Sequence, residues 1–154
     1  MILMKFKTNN MKNFLATLSV LIIVGYVSFG QATDQNISNC LSNTGIDSKY
    51  LKDFRVQLGK SSGAGDLRYK ANISLWKNVK YRFSLCSEEN SKGSLILSVK
   101  DDASKVVLSS FDPNTGKTYT TIDFTCNKSG IYQLSYDFSN EEQGSGIGII
   151  SIIK

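Results

Sequence analysis

The feature that most constrains the fold of this chain is a two-residue alternation of apolar and polar side chains, which recurs from residue 54 to residue 153. Successive side chains of a β-strand point to opposite faces, so this period predicts strands that each bury one face. Turns rich in glycine, asparagine and serine interrupt the alternation at short intervals. The pattern predicts eight strands, within residues 54–58, 67–75, 79–85, 95–99, 105–111, 120–126, 132–138 and 147–153.

Eight half-buried strands need a second apolar layer to pack against. A single sheet would leave its apolar face in water, whereas two sheets packed face to face would bury it. We therefore expect an all-β protein, a two-sheet antiparallel β-sandwich of about eight strands. The last strand departs from strict alternation, because its isoleucines occupy both faces: Ile147, Ile149, Ile150, Ile152 and Ile153. This strand is expected to be central or covered on both faces.

The first thirty residues have the composition of an export signal. Three lysines precede an uncharged apolar run of fourteen residues, Phe14 to Val27, and Ser28 and Gly30 follow as the small residues of a cleavage site. The run is shorter than the roughly 20 residues that a membrane-spanning helix needs. We expect residues 1–30 to be a cleaved signal peptide, the alternative being an anchor that stays attached. The remainder would be secreted or periplasmic, with no membrane span.

The remaining residues, 31–154, have a length that suits one domain. Residues 31–52 are polar, and we expect an extended lead-in with one helical turn within DSKYLKDF, residues 47–54. The β-sandwich domain is expected to cover residues 53–154. The net charge of +5 falls to +2 without the three lysines of residues 1–30, and the other charges are scattered. Nucleic-acid binding requires a concentrated positive surface, so the sequence argues against such a partner.

Three cysteines, Cys40, Cys86 and Cys126, follow the export signal. In an oxidising compartment an odd number suggests one disulfide and one leftover thiol. Cys126 is in phase with the core-facing residues of its strand, whereas Cys86 is out of phase with Phe83 and Leu85 and should face outward. This parity favours a Cys40–Cys86 disulfide and a buried Cys126 thiol. The other two pairings, and three reduced thiols, remain open.

The sequence excludes several catalytic chemistries. Histidine is absent, which removes Ser-His-Asp and Cys-His arrangements and most zinc sites. The glycine-rich GSGIG of residues 144–148 opens an apolar strand, so it is interpreted as a loop entering a buried strand rather than a nucleotide-binding motif. No cofactor is predicted.

Acidic residues occur in pairs and in one calcium-like turn. The pairs at residues 88–89, 101–102 and 141–142 lie in predicted turns, where solvated carboxylates are the expected interpretation. Asp112, Asn114 and the carbonyl of Thr115 are a weak calcium candidate, because all three offer oxygen ligands. An ordinary turn around the single proline explains the same residues without an ion. No other metal site is predicted.

Two aromatic residues beside turns are the candidate binding residues. Trp76 is out of phase with the core-facing Ile73 and Leu75, and Tyr119 also flanks a turn. Exposed flat aromatics suit contact with a protein or stacking on a sugar. The alternative is that Trp76 packs under a loop or against the lead-in.

Several segments resemble the bacterial pre-peptidase C-terminal domain: ISLWKNVKYRFSL, GSLILSVKDDASKVVLSS and IDFTCNKSGIYQLSYDF, followed by a glycine-led strand. The resemblance covers about residues 53–154. It implies a jelly-roll-like sandwich of the kind appended to secreted enzymes. The sequence GSLILSV replaces the acidic stretch common in that family, which argues against a calcium role. The lead-in, with NCLSN and SKYLKDF, is similar to small secreted proteins of Bacteroidetes-type bacteria.

The function predicted from these observations is a secreted, non-catalytic β-sandwich binding module. Its partner would be a protein or an extracellular polymer, contacted through loops at one end or through the Trp76 edge. One alternative is a structural envelope protein without a ligand, which would co-purify as a lattice or stoichiometric assembly. Another is a hydrolase that works without histidine, which a broad activity screen would detect.

Overall fold

The computed structural model describes residues 31–42, 44–60 and 68–154, with side chains from residue 36 onward. The signal peptide expected over residues 1–30 lies outside the described residues. Residues 36–154 form one unit by their internal contacts, and the fold below is that of this unit. Among the described residues, no helix has the length and apolar character that a membrane crossing requires.

The described chain consists of one α-helix, ten strands and a 3₁₀ turn. Helix α1 spans Gln31–Ser42, and the 3₁₀ turn spans Ser139–Glu141. The strands are β1 (Ser48–Leu58), β2 (Tyr69–Leu75), β3 (Lys80–Ser87), β4 (Leu95–Lys100), β5 (Val106–Ser109), β6 (Phe111–Asp112), β7 (Lys117–Thr118), β8 (Thr121–Thr125), β9 (Gly130–Phe138) and β10 (Gly144–Ile153). The described part of the structure therefore has two strands more than the eight predicted. The predicted strand over residues 105–111 is divided into β5 and β6, and β7 is a further short strand.

Eight of the strands form two antiparallel sheets, and β6 and β7 form a small ribbon. Sheet A has the order β1-β10-β3-β8, and sheet B has the order β2-β9-β4-β5. Along the chain the pairing is nested: β1 pairs with β10, β2 with β9, β3 with β8 and β4 with β5. A long hairpin rolled up on itself produces this pairing, which is the jelly-roll arrangement. The expected two-sheet β-sandwich is therefore confirmed.

The core lies between the two sheets and consists of the side chains that the alternation placed inside. Large residues fill it, several of them fully buried: Tyr81, Phe83, Leu97, Val99, Leu134, Tyr136, Phe138 and Ile150. The rings of Phe124 and Tyr132 meet edge to face, with centroids 6.0 Å apart. This packing joins β8 of sheet A to β9 of sheet B.

The last strand, β10, lies between β1 and β3 and is buried on both faces, as the sequence predicted. On its outer face Ile147 and Ile149 pack against Ile37, Cys40 and Leu41 of α1. The outer face of a sheet is normally solvated, so the helix explains why the alternation fails here.

The glycines of β10 make room for aromatic rings from sheet B. A Cβ on Gly148 would lie 2.6 Å from Tyr136 Oη, and one on Gly144 would lie 2.6 Å from Phe138 Cδ1. Gly144–Gly148 is therefore part of a strand whose small residues admit the two rings. The predicted loop interpretation of GSGIG was wrong in this respect.

The lead-in differs from the prediction in two ways. Residues 31–42 are helical rather than extended, because Ile37, Cys40 and Leu41 gain an apolar surface on sheet A. Residues 48–58 form a strand rather than a helical turn, since β1 pairs along β10 and buries Phe54 and Val56. The sandwich thus begins at Ser48, five residues before the predicted boundary at residue 53.

The predicted disulfide is present. Cys40 on α1 is bonded to Cys86 on β3, with their Cα atoms 5.8 Å apart. Cys126 is a free and buried thiol, as expected from its phase. Arg82 adds a second connection between the helix end and sheet A: its Nη1 donates to the Thr44 carbonyl at 2.9 Å, and its Nε donates to Asp123 at 2.7 Å.

Candidate functional site

Trp76 follows β2 at one end of the sandwich, and its side chain is exposed. Its relative exposure is 66%, whereas the preceding Leu75 is buried in the core. The strand alternation explains the difference, because Trp76 is out of phase with Leu75. The exposure agrees with the phase of Trp76, and the interpretation that Trp76 packs under a loop or against the lead-in is wrong.

The turn that carries Trp76 is held at each of its backbone amides. The N–H of Trp76 donates to the buried Tyr81 hydroxyl at 2.9 Å, and that of Lys77 donates to Ser129 Oγ at 2.8 Å. Asn78, with a positive φ of 65°, donates to the Cys126 carbonyl, and Val79 donates back to the Trp76 carbonyl. The backbone beneath the indole is therefore fixed by the core and by the next turn.

Ile131 adds a second exposed apolar side chain to this region. It is 63% exposed and lies opposite Ser74, two residues before Trp76, so both side chains belong to the outer face of sheet B. The ion pair of Lys128 and Asp102 lines the same small hollow as Ile131. We call Trp76, Ile131 and this ion pair the Trp76 surface. The Lys128 Nζ lies 2.7 Å from Asp102 Oδ2, and both side chains are largely exposed. The hydrogen bond from Lys128 lowers the pKa of Asp102, and the same bond raises the pKa of Lys128.

The free thiol lies beneath the Trp76 surface and supports the β8–β9 turn. Cys126 Sγ donates to the Lys128 carbonyl at 3.1 Å, and the Tyr132 hydroxyl donates to the same carbonyl at 2.7 Å. Burial, followed by the hydrogen bond with Cys126, raises the pKa of Tyr132 to about 12. Both groups act as hydrogen-bond donors that shape the turn.

Tyr119, the second predicted binding residue, does not join the Trp76 surface. Tyr119 lies before β8, whereas the Trp76 turn is hydrogen-bonded to Cys126, which follows β8. The five residues of β8 lie between them and span roughly 17 Å at the usual rise per strand residue. Tyr119 is 41% exposed, and Lys117 Nζ lies 4.8 Å from the centre of its ring. Part of its aromatic face is therefore already occupied by a neighbouring cation.

The weak calcium candidate forms an internally bonded turn. Asp112 accepts from the Asn114 N–H at 2.9 Å through one carboxylate oxygen and from the Thr115 hydroxyl at 2.7 Å through the other. The Thr115 bond lowers the pKa of Asp112. Gly116 closes the turn with a φ of 69°. Turn geometry accounts for these residues, as the alternative interpretation held.

The acidic pairs also serve local structure. Asp101 accepts from the backbone amides of Ala103 and Lys105, and Glu142 lies 3.9 Å from Lys60. Within the described ranges, no three acidic, cysteine or histidine side chains gather as a metal site would require.

The opposite end of the sandwich contains a cavity of about 320 Å³. The end of β1, the β3–β4 loop and the β9–β10 loop form it. Its polar lining consists of three amides and two hydroxyls, Gln57, Asn90, Gln143, Ser91 and Ser145. We call it the amide pocket. Sequence reasoning missed it, because neutral amides at a strand end and in two loops form no motif and only the topology brings them together.

Comparisons with known proteins do not assign the chain to a family. No protein-family model matches it, and no curated protein matches its sequence. The resemblance to the pre-peptidase C-terminal domain therefore stays a prediction. Function has to be argued from the Trp76 surface and the amide pocket.

Proposed function

We propose that this protein is a secreted, non-catalytic binding module that contacts a protein partner through the Trp76 surface. The observation that carries the proposal is the exposure of the only tryptophan, on a turn whose four backbone amides each donate a hydrogen bond. Tryptophan is highly buried on average, and it is enriched among the residues that dominate binding energy at interfaces. A fixed turn also reduces the conformational entropy that an exposed indole would lose on binding.

The composition of the surface favours a protein over a sugar polymer. Ile131 extends the apolar area beside the indole, whereas a sugar site usually needs amides or hydroxyls there to bind the hydroxyls of the ligand. The exposed ion pair of Lys128 and Asp102 provides a polar rim of the type that surrounds an interface core. An extracellular polymer is the alternative ligand.

Export is part of the proposal. The basic, apolar and small-residue order of residues 1–30 supports it. A disulfide between Cys40 and Cys86 agrees with an oxidising compartment, where such bonds persist. The non-catalytic assignment rests on the absence of histidine and on the structural roles of the acidic turns.

The single tryptophan allows a direct test. The exported chain is titrated with surface proteins of the producing cell and with soluble fragments of its extracellular polymers, while indole emission is recorded. We expect a protein to shift the emission to shorter wavelength, because binding removes the indole from water. Replacement Trp76→Ala should weaken that interaction by roughly thirtyfold or more, as for an interface hot spot, when affinity is measured by calorimetry.

Tyr50→Ala is the matched control, because Tyr50 is an exposed aromatic on β1 of sheet A, whereas Trp76 follows β2 of sheet B. It should leave the affinity within about twofold, since contacts outside an interface contribute little, and Ile131→Ser should weaken binding. Equal effects of Trp76→Ala and Tyr50→Ala would disprove the assignment of this surface. Saturable emission shifts with a polysaccharide alone would favour the polymer alternative.

A further inference from the structure

The amide pocket is a second concave site, at the end of the sandwich opposite Trp76. Its volume of about 320 Å³ lies at the lower end of the range for small-molecule sites, about 300–1,000 Å³. Strand direction separates the two regions: β9 begins beside the Trp76 turn and ends at Phe138, beside the β9–β10 loop. The pocket is thus independent of the proposed protein-binding surface.

The β3–β4 loop is tied to the start of β10 and to the β9–β10 loop. Ser91 Oγ donates to the Ser145 carbonyl at 2.7 Å and accepts from the Ser145 N–H at 3.0 Å. The Lys92 N–H donates to the Gln143 carbonyl at 3.1 Å. Below them, the Phe138 ring occupies the space next to Gly144. These contacts preform the walls, so a ligand would not have to order them.

Three side-chain amides are free to serve a ligand. Gln57, Asn90 and Gln143 contribute to the lining, and within residues 36–42, 44–60 and 68–154 their amide groups hydrogen-bond no other residue. Each amide carries both an acceptor and a donor. A hydroxyl group also donates and accepts, so three amide residues in the lining of one pocket match a ligand with several hydroxyls.

The lack of charge in the pocket lining favours neutral ligands over charged ones. No described residue that lines the pocket is titratable. Two ion pairs lie beside it and offset their own charges: Lys60 with Glu142, 3.9 Å apart, and Arg68, which donates to the Gly59 carbonyl, with Asp137. Burying a charged ligand without an opposite charge is unfavourable. Leu58, half-buried in the wall, offers an apolar contact for C–H groups. We propose that the amide pocket binds a neutral, hydroxyl-rich ligand of monosaccharide size, either free or as the end residue of a glycan.

The experiment uses neutral hexoses, pentoses and N-acetylhexosamines, each titrated into the exported chain. Side-chain amide signals of Gln57, Asn90 and Gln143 are followed by nuclear magnetic resonance. We expect one class of sugar to shift these signals saturably. Gln57→Met and Gln143→Met keep the side-chain length and remove the hydrogen bonds, so each should weaken binding by roughly three- to tenfold.

Gln133→Met, on the outer face of sheet B, is the matched control and should leave binding unchanged. Trp76→Ala should also leave it unchanged, which separates this site from the Trp76 surface. The proposal is overturned if none of the sugars shifts the three amides, if glucuronate or glucosamine binds better than its neutral counterpart, or if Trp76→Ala abolishes the response. A short glycan that binds more tightly than its terminal sugar would identify the end-residue form of the ligand.

Discussion

At the scale of single residues, the contact between the two sheets depends on Gly144 and Gly148 of β10. The rings of Phe138 and Tyr136 occupy the space that side chains at these positions would need. Tyr136 is fully buried, and burial raises the pKa of its hydroxyl well above the ordinary value. The alternating glycines are thus a packing feature of the core.

Gly148→Ala is expected to lower the free energy of unfolding by about 1–3 kcal/mol, because the added methyl group overpacks the core against Tyr136. Denaturant unfolding of the oxidised protein measures this change. Gly130→Ala is the control, since a Cβ at Gly130 meets no atom within 4 Å. That variant should be neutral or slightly stabilising, through lower entropy of the unfolded chain. Equal destabilisation by the two variants would contradict the packing argument.

At the scale of elements, α1 works as a cover for the outer face of sheet A. The Cys40–Cys86 bond fixes Ile37 and Leu41 over Ile147 and Ile149. Without this cover, two isoleucines at the centre of a sheet would face water. The bond therefore stabilises a specific apolar contact in addition to restricting the unfolded chain.

The double variant Cys40→Ala/Cys86→Ala should lower the free energy of unfolding by about 2–4 kcal/mol, because a sequence separation of 46 residues makes loop closure costly in the unfolded chain. It should also increase binding of a hydrophobic dye as Ile147 and Ile149 become accessible. Cys126→Ala keeps the disulfide and is the control. A double variant that is no less stable than this control, and binds no more dye, would refute the role of the helix.

How well the sequence predicts these elements depends on how far apart in the sequence the contacting residues lie. Two-residue alternation located the eight sandwich strands, and its phase placed Cys86 outward and Cys126 inward. The helical lead-in was missed, because its apolar residues Ile37 and Leu41 are few and their partners, Ile147 and Ile149, lie more than a hundred residues later. The exposure of Trp76 followed from local phase, whereas the amide pocket required the tertiary fold.

At the scale of the whole molecule, the rolled hairpin divides the strands into interior and edge positions. Strands β10 and β3 lie inside sheet A, and β9 and β4 lie inside sheet B. The four edge strands have backbone groups directed away from any sheet neighbour. Edge β1 has lysines at residues 49 and 52 and a register shift between Tyr50 and Lys52, features that discourage pairing with another chain.

Hydrogen exchange should reflect this division. We expect the amides of β9 and β10 to exchange at least roughly tenfold more slowly than the outward-directed amides of β1 and β2, because interior strands open only with the whole domain. Exchange followed by nuclear magnetic resonance gives the rate at each residue. Uniform protection across edge and interior strands would be inconsistent with the strand order.

The position of β10 also has a consequence for the assembly of sheet A. It is the last of the described strands in chain order, yet it lies between β1 and β3 and contributes Ile150 to the core. Without its ten residues, β1 and β3 lack the neighbour they share, and sheet A cannot close. Sheet A therefore completes its pairing only when β10 is available to both neighbours.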